Sequence, residues 1–296
     1  MPTITIRSHK LKLVYDRYVR YLLFGCAFLM TFIILSIIVF VGQQGLLTFT
    51  QVNPAEFFMH AKWDPGEGNF GALSFIIGTL LTTILAILLG APLGLAGAVF
   101  MAKIAPPWLR EVMRPATDLY VAIPSVVYGF IGLTIIVPFM RQYLHAGTGF
   151  GLLTTAVILA VMILPTIISI SEDALRAVPR SLEEASLALG ATRWQTVRKV
   201  LLPAAMPGIL TSIVLAMARA VGETMAVQMV IGNTPQLVTS LFTPTATLTS
   251  EIVIEMGNTP FGSAWGNSLF LMALVLLLMS LAMIVIIRRL GQGRMA

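Results

Sequence analysis

From residue 71 to residue 102 the chain runs for 32 residues without an Asp, Glu, Lys or Arg, and most of that run is Leu, Ile, Ala, Val, Phe and Gly. A helix that is apolar all round needs apolar surroundings on every side, which places the run in a bilayer or a very large core. As one straight helix it would reach about 48 Å, longer than a hydrocarbon core of about 30 Å. Two spans of about 17 to 20 residues plus a turn do not fit either. One span with an extension remains. Pro92, within Gly90-Ala91-Pro92-Leu93-Gly94, predicts a kink near its inner end, because proline removes an amide and clashes with the preceding turn.

Five further apolar runs, at about residues 21–41, 119–139, 150–170, 208–231 and 267–287, predict an all-α integral membrane protein with six transmembrane helices. The first run is longer than the apolar region of about 7 to 15 residues in a cleaved signal peptide and is expected to be retained. A composition that is 57% hydrophobic and only 11% charged agrees, as does a mean hydropathy of +0.90. Six spans put the N-terminal segment, the 103–117 loop, the stretch after the fourth span and the C-terminal tail on one side. That side holds sixteen of the nineteen Lys and Arg, against Lys62 and Arg141 opposite. By the positive-inside rule it is the cytoplasm, so both termini are expected there, in a multi-pass membrane protein. Splitting residues 71–102 into two spans would carry five cations of the later stretch outside.

The net charge of +6 is therefore topology and not a nucleic-acid surface. Cys26 lies alone in an apolar run, and His9, His60 and His145 are scattered, so no metal ligands are expected. The chain has neither GxxxxGK[ST] nor G-x-S-x-G, and so no catalytic residue and no cofactor of its own is predicted.

Residues 181–203, SLEEASLALGATRWQTVRKVLLP, form a polar segment between two apolar ones. Ser181 with Glu184 reads as a capping box, which starts a helix at Leu182. Gly190 fits a left-handed terminus, and Thr192 with Gln195 opens a second helix that Pro203 interrupts. Helix, turn, helix is the local expectation. The spacing Glu184-Ala185-Ser186, three residues, Gly190, nine residues, Val200, then Leu202-Pro203, resembles the EAA-x3-G-x9-I-x-L-P signature of permease subunits of ATP-binding cassette importers. Ser186 departs from the usual Ala, but it is small enough for the same close packing. The resemblance implies a type I (MetI-like) permease and a cytoplasmic coupling hairpin that docks into a separate ATPase subunit. Its contact residues would be Glu183, Glu184, Ala185, Gly190, Arg193 and Trp194, with Glu184 facing a basic residue. On this reading residues 1–70 hold the N-terminal segment, first span and outer loop, residues 71–290 the permease domain, and residues 291–296 the tail.

Arg219 lies about midway along the fifth predicted span, with Glu223 one turn later on the same face. Each charge costs about 2.5 to 3.5 kcal/mol at mid-bilayer on insertion scales, and such residues usually face a bundle interior or a water-filled path. Two readings are open: a salt bridge that only fixes the helix, and a gate in which Arg219 meets a passing anion while Glu223 competes for it. The acid stands C-terminal to the base, the weaker order for such a pair.

The run from Ala218-Arg219-Ala220-Val221-Gly222-Glu223-Thr224-Met225-Ala226-Val227 to Ile231-Gly232-Asn233-Thr234, together with Ile123-Pro-Ser-Val-Val-Tyr-Gly129, is similar to the C-type permease subunits of phosphate-specific importers. The similarity implies import of inorganic phosphate past Arg219 and Glu223, with Thr224, Ser125 and Tyr128 as supplementary hydroxyl donors. It also implies a second permease subunit of the A type, two ATPase subunits that bind ATP and Mg, and an extracytoplasmic phosphate-binding protein. A permease for molybdate, sulfate or a phosphonate is the nearest alternative, since a guanidinium suits any tetrahedral oxyanion. A self-sufficient channel or secondary transporter is a further one, which should show repeat symmetry or several intramembrane carboxylates.

Overall fold

The computed structural model describes residues 5–292. It is helical almost throughout, and six helices are long and apolar enough to cross a membrane. α1 (Thr5–Leu47) contains the first apolar run within a much longer helix. It packs against the last helix and exposes Phe24, Phe28 and Phe32, a surface suited to hydrocarbon. The next segment holds α2 (Pro54–Met59) and a hairpin of β1 (Trp63–Asp64) and β2 (Asn69–Phe70), turned by Pro65–Glu67. The Asp64 carboxylate accepts the Glu67 amide at that turn.

α3 (Leu73–Val99) is the second span and continues as a π-helical turn, Phe100–Ile104, before Pro106 and Pro107 end it. It stays helical through Pro92; the altered hydrogen-bond register comes later, at 100–104. α4 (Pro107–Val121) is a separate amphipathic helix in which no residue is buried. The third span therefore starts at Ser125, after Pro124, and not near 119: α5 (Ser125–Ile131), a π turn at Gly132–Ile136 and α6 (Val137–Tyr143) make it up. The residue before a proline is pushed out of the helical region, which separates α4 from α5. α7 (Leu152–Ala177) is the fourth span and lies at the centre, packed along α3 on one side and against the fifth span on the other.

The hairpin comprises α8 (Arg180–Ala188) and α9 (Arg193–Thr196). α8 starts one residue before the expected capping serine, with Pro179 at its N-cap and no side-chain cap, so the Ser181 box does not form. The Thr192–Gln195 box does form. Pro203 does not break the helical path after α9. A π turn at Val197–Leu201 leads directly into α10 (Leu202–Val221); Pro203 is its second residue, where a missing amide costs least, and Pro207 lies inside the helix. The fifth span then stops at Val221, and α11 (Met225–Val230) begins after a short break. The outer loop carries α12 (Leu248–Met256), and α13 (Ala264–Gln292) is the sixth span.

Three apolar clusters hold the bundle. The middle one joins α5, α7, α10 and α11 through Tyr128, Ile163, Ala216 and Val230. An outer one packs Phe57, Trp63, Phe70 and Phe75 against Leu248, Leu269 and Met272. The third joins the inner ends of α3 and α7 to the root of the hairpin through Val99, Leu175 and Leu201. The loop before α12 folds back against α3, where Gly78 is required: a Cβ there would stand 2.2 Å from the carbonyl oxygen of Ala246.

Candidate functional site at the broken fifth span and the hairpin

α10 ends at Val221 and α11 begins at Met225, and Gly222, Glu223 and Thr224 fill the gap between them. Glu223 Oε1 accepts the amide of Ala226, 3.2 Å away, and so satisfies a free donor in the first turn of α11. Its carbonyl accepts the Thr249 hydroxyl at 3.0 Å. Glu223 lines a small interior cavity with Thr79, Thr82, Thr83, Thr247 and Thr249. The two charges are thus not stacked on one helix face, and among the described residues they form no ion pair. An i, i+4 pair needs continuous helix, and the break at Gly222 removes it.

Arg219 is half-buried one turn before the break, within electrostatic reach of Tyr128 on α5. Of the predicted hydroxyl donors, Tyr128 is buried and donates to the Tyr120 carbonyl at 2.7 Å, tying α5 back to α4. Thr224 donates to the Gly222 carbonyl at 3.2 Å, a local bond. Ser125 opens α5 and is half-buried. Arg219 thus lies within electrostatic reach of Tyr128, whose hydroxyl is already committed to Tyr120, while Glu223 lines the cavity of threonine hydroxyls. Sequence reasoning missed that cluster, although Thr79, Thr82 and Thr83 share one face by spacing. Their hydroxyls donate to the carbonyls of Phe75, Gly78 and Thr79, and Thr79 Oγ1 also accepts the Leu248 amide at 3.0 Å.

In the hairpin the two glutamates divide. Glu183 pairs with Lys103 at the end of the second span, 2.6 Å apart, whereas Glu184 is exposed. Ala185, Arg193 and Trp194 are exposed too, and Leu189 is 89% exposed. Gly190 has φ +83°, the left-handed conformation expected of it. Ser186 does more than fit: its hydroxyl lies 3.0 Å from that of Thr196 and bridges the two arms.

An ion pair one turn apart does occur, on the fourth span, where sequence reasoning did not look. Buried Glu172 pairs with Arg176, with the acid first, the favourable order. The Glu172-x3-Arg176 spacing was the available signal. Beside it Arg110 donates to the carbonyls of Met101, Ala102 and Ala105, which end the second span.

On the opposite side, Glu255 accepts the indole N–H groups of Trp63, at 3.1 Å, and Trp265, at 2.7 Å. It joins the outer hairpin to α12 and α13. Glu251, one turn earlier on α12, is buried, and burial followed by the charge of Glu255 pushes its pKa up to about 8.

Residues 90–294 match the family described as binding-protein-dependent transport system inner membrane component. The chain belongs to this family. It is thus a multi-pass inner-membrane permease of the ATP-binding cassette type, with the type I fold expected from the hairpin. The chain is 51% identical over 279 residues to a probable ABC transporter permease protein, YqgH, of Bacillus subtilis, covering 93% of this chain and 90% of the relative. It is 37% identical to the phosphate transport system permease protein PstC of Mesorhizobium japonicum, covering 86% and 82%. Among solved structures, a MetNI methionine ABC transporter in an inward-facing conformation matches with a TM-score of 0.53 at 26% identity, over 74% of this chain and 91% of that one. A bacterial alginate ABC transporter gives a TM-score of 0.63 at 16% identity, over 95% and 99%, and bears on the fold alone.

Proposed function

We propose that this permease is the C-type subunit of an ATP-driven importer of inorganic phosphate, and that Arg219 is the residue the anion meets. The observation that carries the reading is the place of Arg219: a half-buried cation in the last turn of α10, next to a helix break, with no carboxylate paired to it among the described residues. A guanidinium in such surroundings binds a tetrahedral oxyanion through two parallel N–H donors. The PstC relatives support phosphate as that oxyanion. A second permease of the A type completes the path, two ATPase subunits bind ATP and Mg, one of them docking on the exposed residues of this chain's hairpin, and an extracytoplasmic phosphate-binding protein delivers substrate. The basic side, with both termini, faces the cytoplasm.

The test is reconstitution with a sister permease, an ATPase and a phosphate-binding protein. Uptake of radiolabelled phosphate that needs both ATP and the binding protein, with molybdate, sulfate and phosphonate poor competitors, is the expected result. Preferential uptake of one of those competitors, or phosphate uptake by the chain alone on a proton or sodium gradient, would overturn the reading.

A further inference from the structure

An unbroken α-helix would pair the Gly222 carbonyl with the Ala226 amide and the Glu223 carbonyl with the Val227 amide. Side chains take these places in the gap between α10 and α11. The Thr224 hydroxyl donates to the Gly222 carbonyl at 3.2 Å, and the Thr249 hydroxyl, on α12, donates to the Glu223 carbonyl at 3.0 Å. The Ala226 amide goes to Glu223 Oε1 at 3.2 Å. Each of these three bonds occupies a backbone group that a helix would use otherwise, so closing the gap exchanges hydrogen bonds and does not abandon them.

The local backbone does not force the gap. Gly222 and Thr224 both have negative φ, at −88° and −113°, and no proline lies between residues 208 and 234. Thr249 is imposed from another element. It is 6% exposed and stands in the first turn of α12, which the Thr247–Ser250 capping box and the 3.0 Å bond from the Leu248 amide to Thr79 Oγ1 hold against α3. At its other end α12 is tied through Glu255 to Trp63 and Trp265. A hydroxyl fixed from outside the fifth span therefore holds the gap in that span open. Closing the gap would set Glu223 one turn beyond Arg219 on one helix face, carboxylate beside guanidinium.

We propose that residues 222–227 form a two-state joint: open, as here, while Thr249 holds the Glu223 carbonyl, and closed into one helix from α10 to α11 when that bond is released, with Glu223 covering Arg219. Thr249 is thereby the positioning residue that keeps Arg219 free for an anion. Coupling between distant parts of a protein requires a two-state element of this kind, and movement of α12 reaches Arg219 through one hydroxyl. The joint itself stands on the hydrogen bonds, and only its effect on uptake rests on Arg219 being the residue that the anion meets.

The experiment uses the assembled transporter in nanodiscs, with Cys26→Ser and with nitroxide labels on Leu215→Cys and Met225→Cys, two exposed positions on either side of the gap. Label separation and phosphate uptake are measured in parallel. In one continuous helix the two positions lie about 15 Å apart. Gly222→Ala favours helix by about fivefold, and it has room, since a Cβ there meets nothing nearer than the Ala218 carbonyl oxygen at 3.6 Å. Gly222→Ala and Thr249→Val should each enlarge the population at the continuous-helix separation and lower uptake, whereas Thr249→Ser, which keeps the hydroxyl, should do neither. Adding Glu223→Gln to Thr249→Val should bring uptake back to the level of Glu223→Gln alone, a recovery that a merely destabilised fold would not show. A label separation unchanged by both Gly222→Ala and Thr249→Val would overturn the joint. A changed separation with full uptake would keep the joint and take Arg219 out of the anion's path.

Discussion

Lys103 Nζ and Glu183 Oε2 lie 2.6 Å apart and join the end of the second span to the first helix of the hairpin. Both side chains are partly shielded, so the pair is stronger than an open surface bridge, which contributes about 0 to 1 kcal/mol. It is the direct polar link through which movement of the hairpin would reach α3. Either Lys103→Gln or Glu183→Gln should therefore lower uptake per ATP hydrolysed while ATPase copurification persists, and the charge swap Lys103→Glu with Glu183→Lys should restore much of it. Glu184→Lys should behave differently and weaken the association itself, since Glu184 is exposed. Equal loss of association in Glu183→Gln and Glu184→Lys would remove the distinction between the two glutamates.

The turn of the hairpin depends on backbone conformation and not on space. Nothing lies within 4 Å of a Cβ built on Gly190, yet its φ is +83°. A β-branched residue at such an angle costs about 1 to 3 kcal/mol, whereas Asn tolerates it. Gly190→Val should lose ATPase binding with membrane insertion intact, and Gly190→Asn should keep most of it. Copurification of the ATPase at wild-type level with the Val variant would show that the turn is not needed.

Arg219→Gln should abolish uptake while the assembled complex persists. Glu223→Gln retains the side-chain acceptor for the Ala226 amide and should leave assembly largely intact, with slower turnover from the lost negative charge. Because no Arg219–Glu223 bridge exists to be relieved, combining the two changes should not rescue transport. Uptake and complex yield measured on both singles and the double decide it, and normal transport by the double variant would take Arg219 out of the substrate path.

α12 lies outside the six spans, and the Glu251 carboxyl on it should make the outer side sensitive to alkali. Its pKa in the folded chain, about 8, exceeds the ordinary 4.5, chiefly through burial and then through Glu255, so the folded state keeps a proton that the unfolded chain gives up. Stability from this group is complete below the unfolded value, declines as pH rises, and is lost above the folded value. The unfolding midpoint should fall between about pH 5 and about pH 9, and Glu251→Gln should flatten that fall. Parallel curves for the two proteins would rule Glu251 out as the cause.

The spans, the hairpin and its left-handed glycine were legible in the sequence, because each rests on interactions within about twenty residues: hydrophobic length, capping and turn chemistry. Charge distribution supplied the expected sidedness in the same way. Span boundaries near prolines were less legible. Pro124 separates α4 from the third span, whereas Pro203 and Pro207 are absorbed into α10, and the residue type is the same in each case. What differs is the chain before them: a π turn at Val197–Leu201 carries the helical path into α10, whereas Pro124 itself is extended, with ψ 139°.

The direction of each charge was settled only in three dimensions. Sequence determined that Arg219, Glu223, Glu183 and Glu184 exist where a membrane and a hairpin make them costly or accessible. It did not determine that the Glu223 carboxylate would accept the Ala226 amide across a helix break, or that Glu183 would turn inward to Lys103, 80 residues away. A side chain separated from its neighbour by one helical turn is paired only if the turn is unbroken. A partner 80 residues off is set by how α3, α7 and the hairpin pack, and that packing is a property of the assembled bundle, not of any segment read alone.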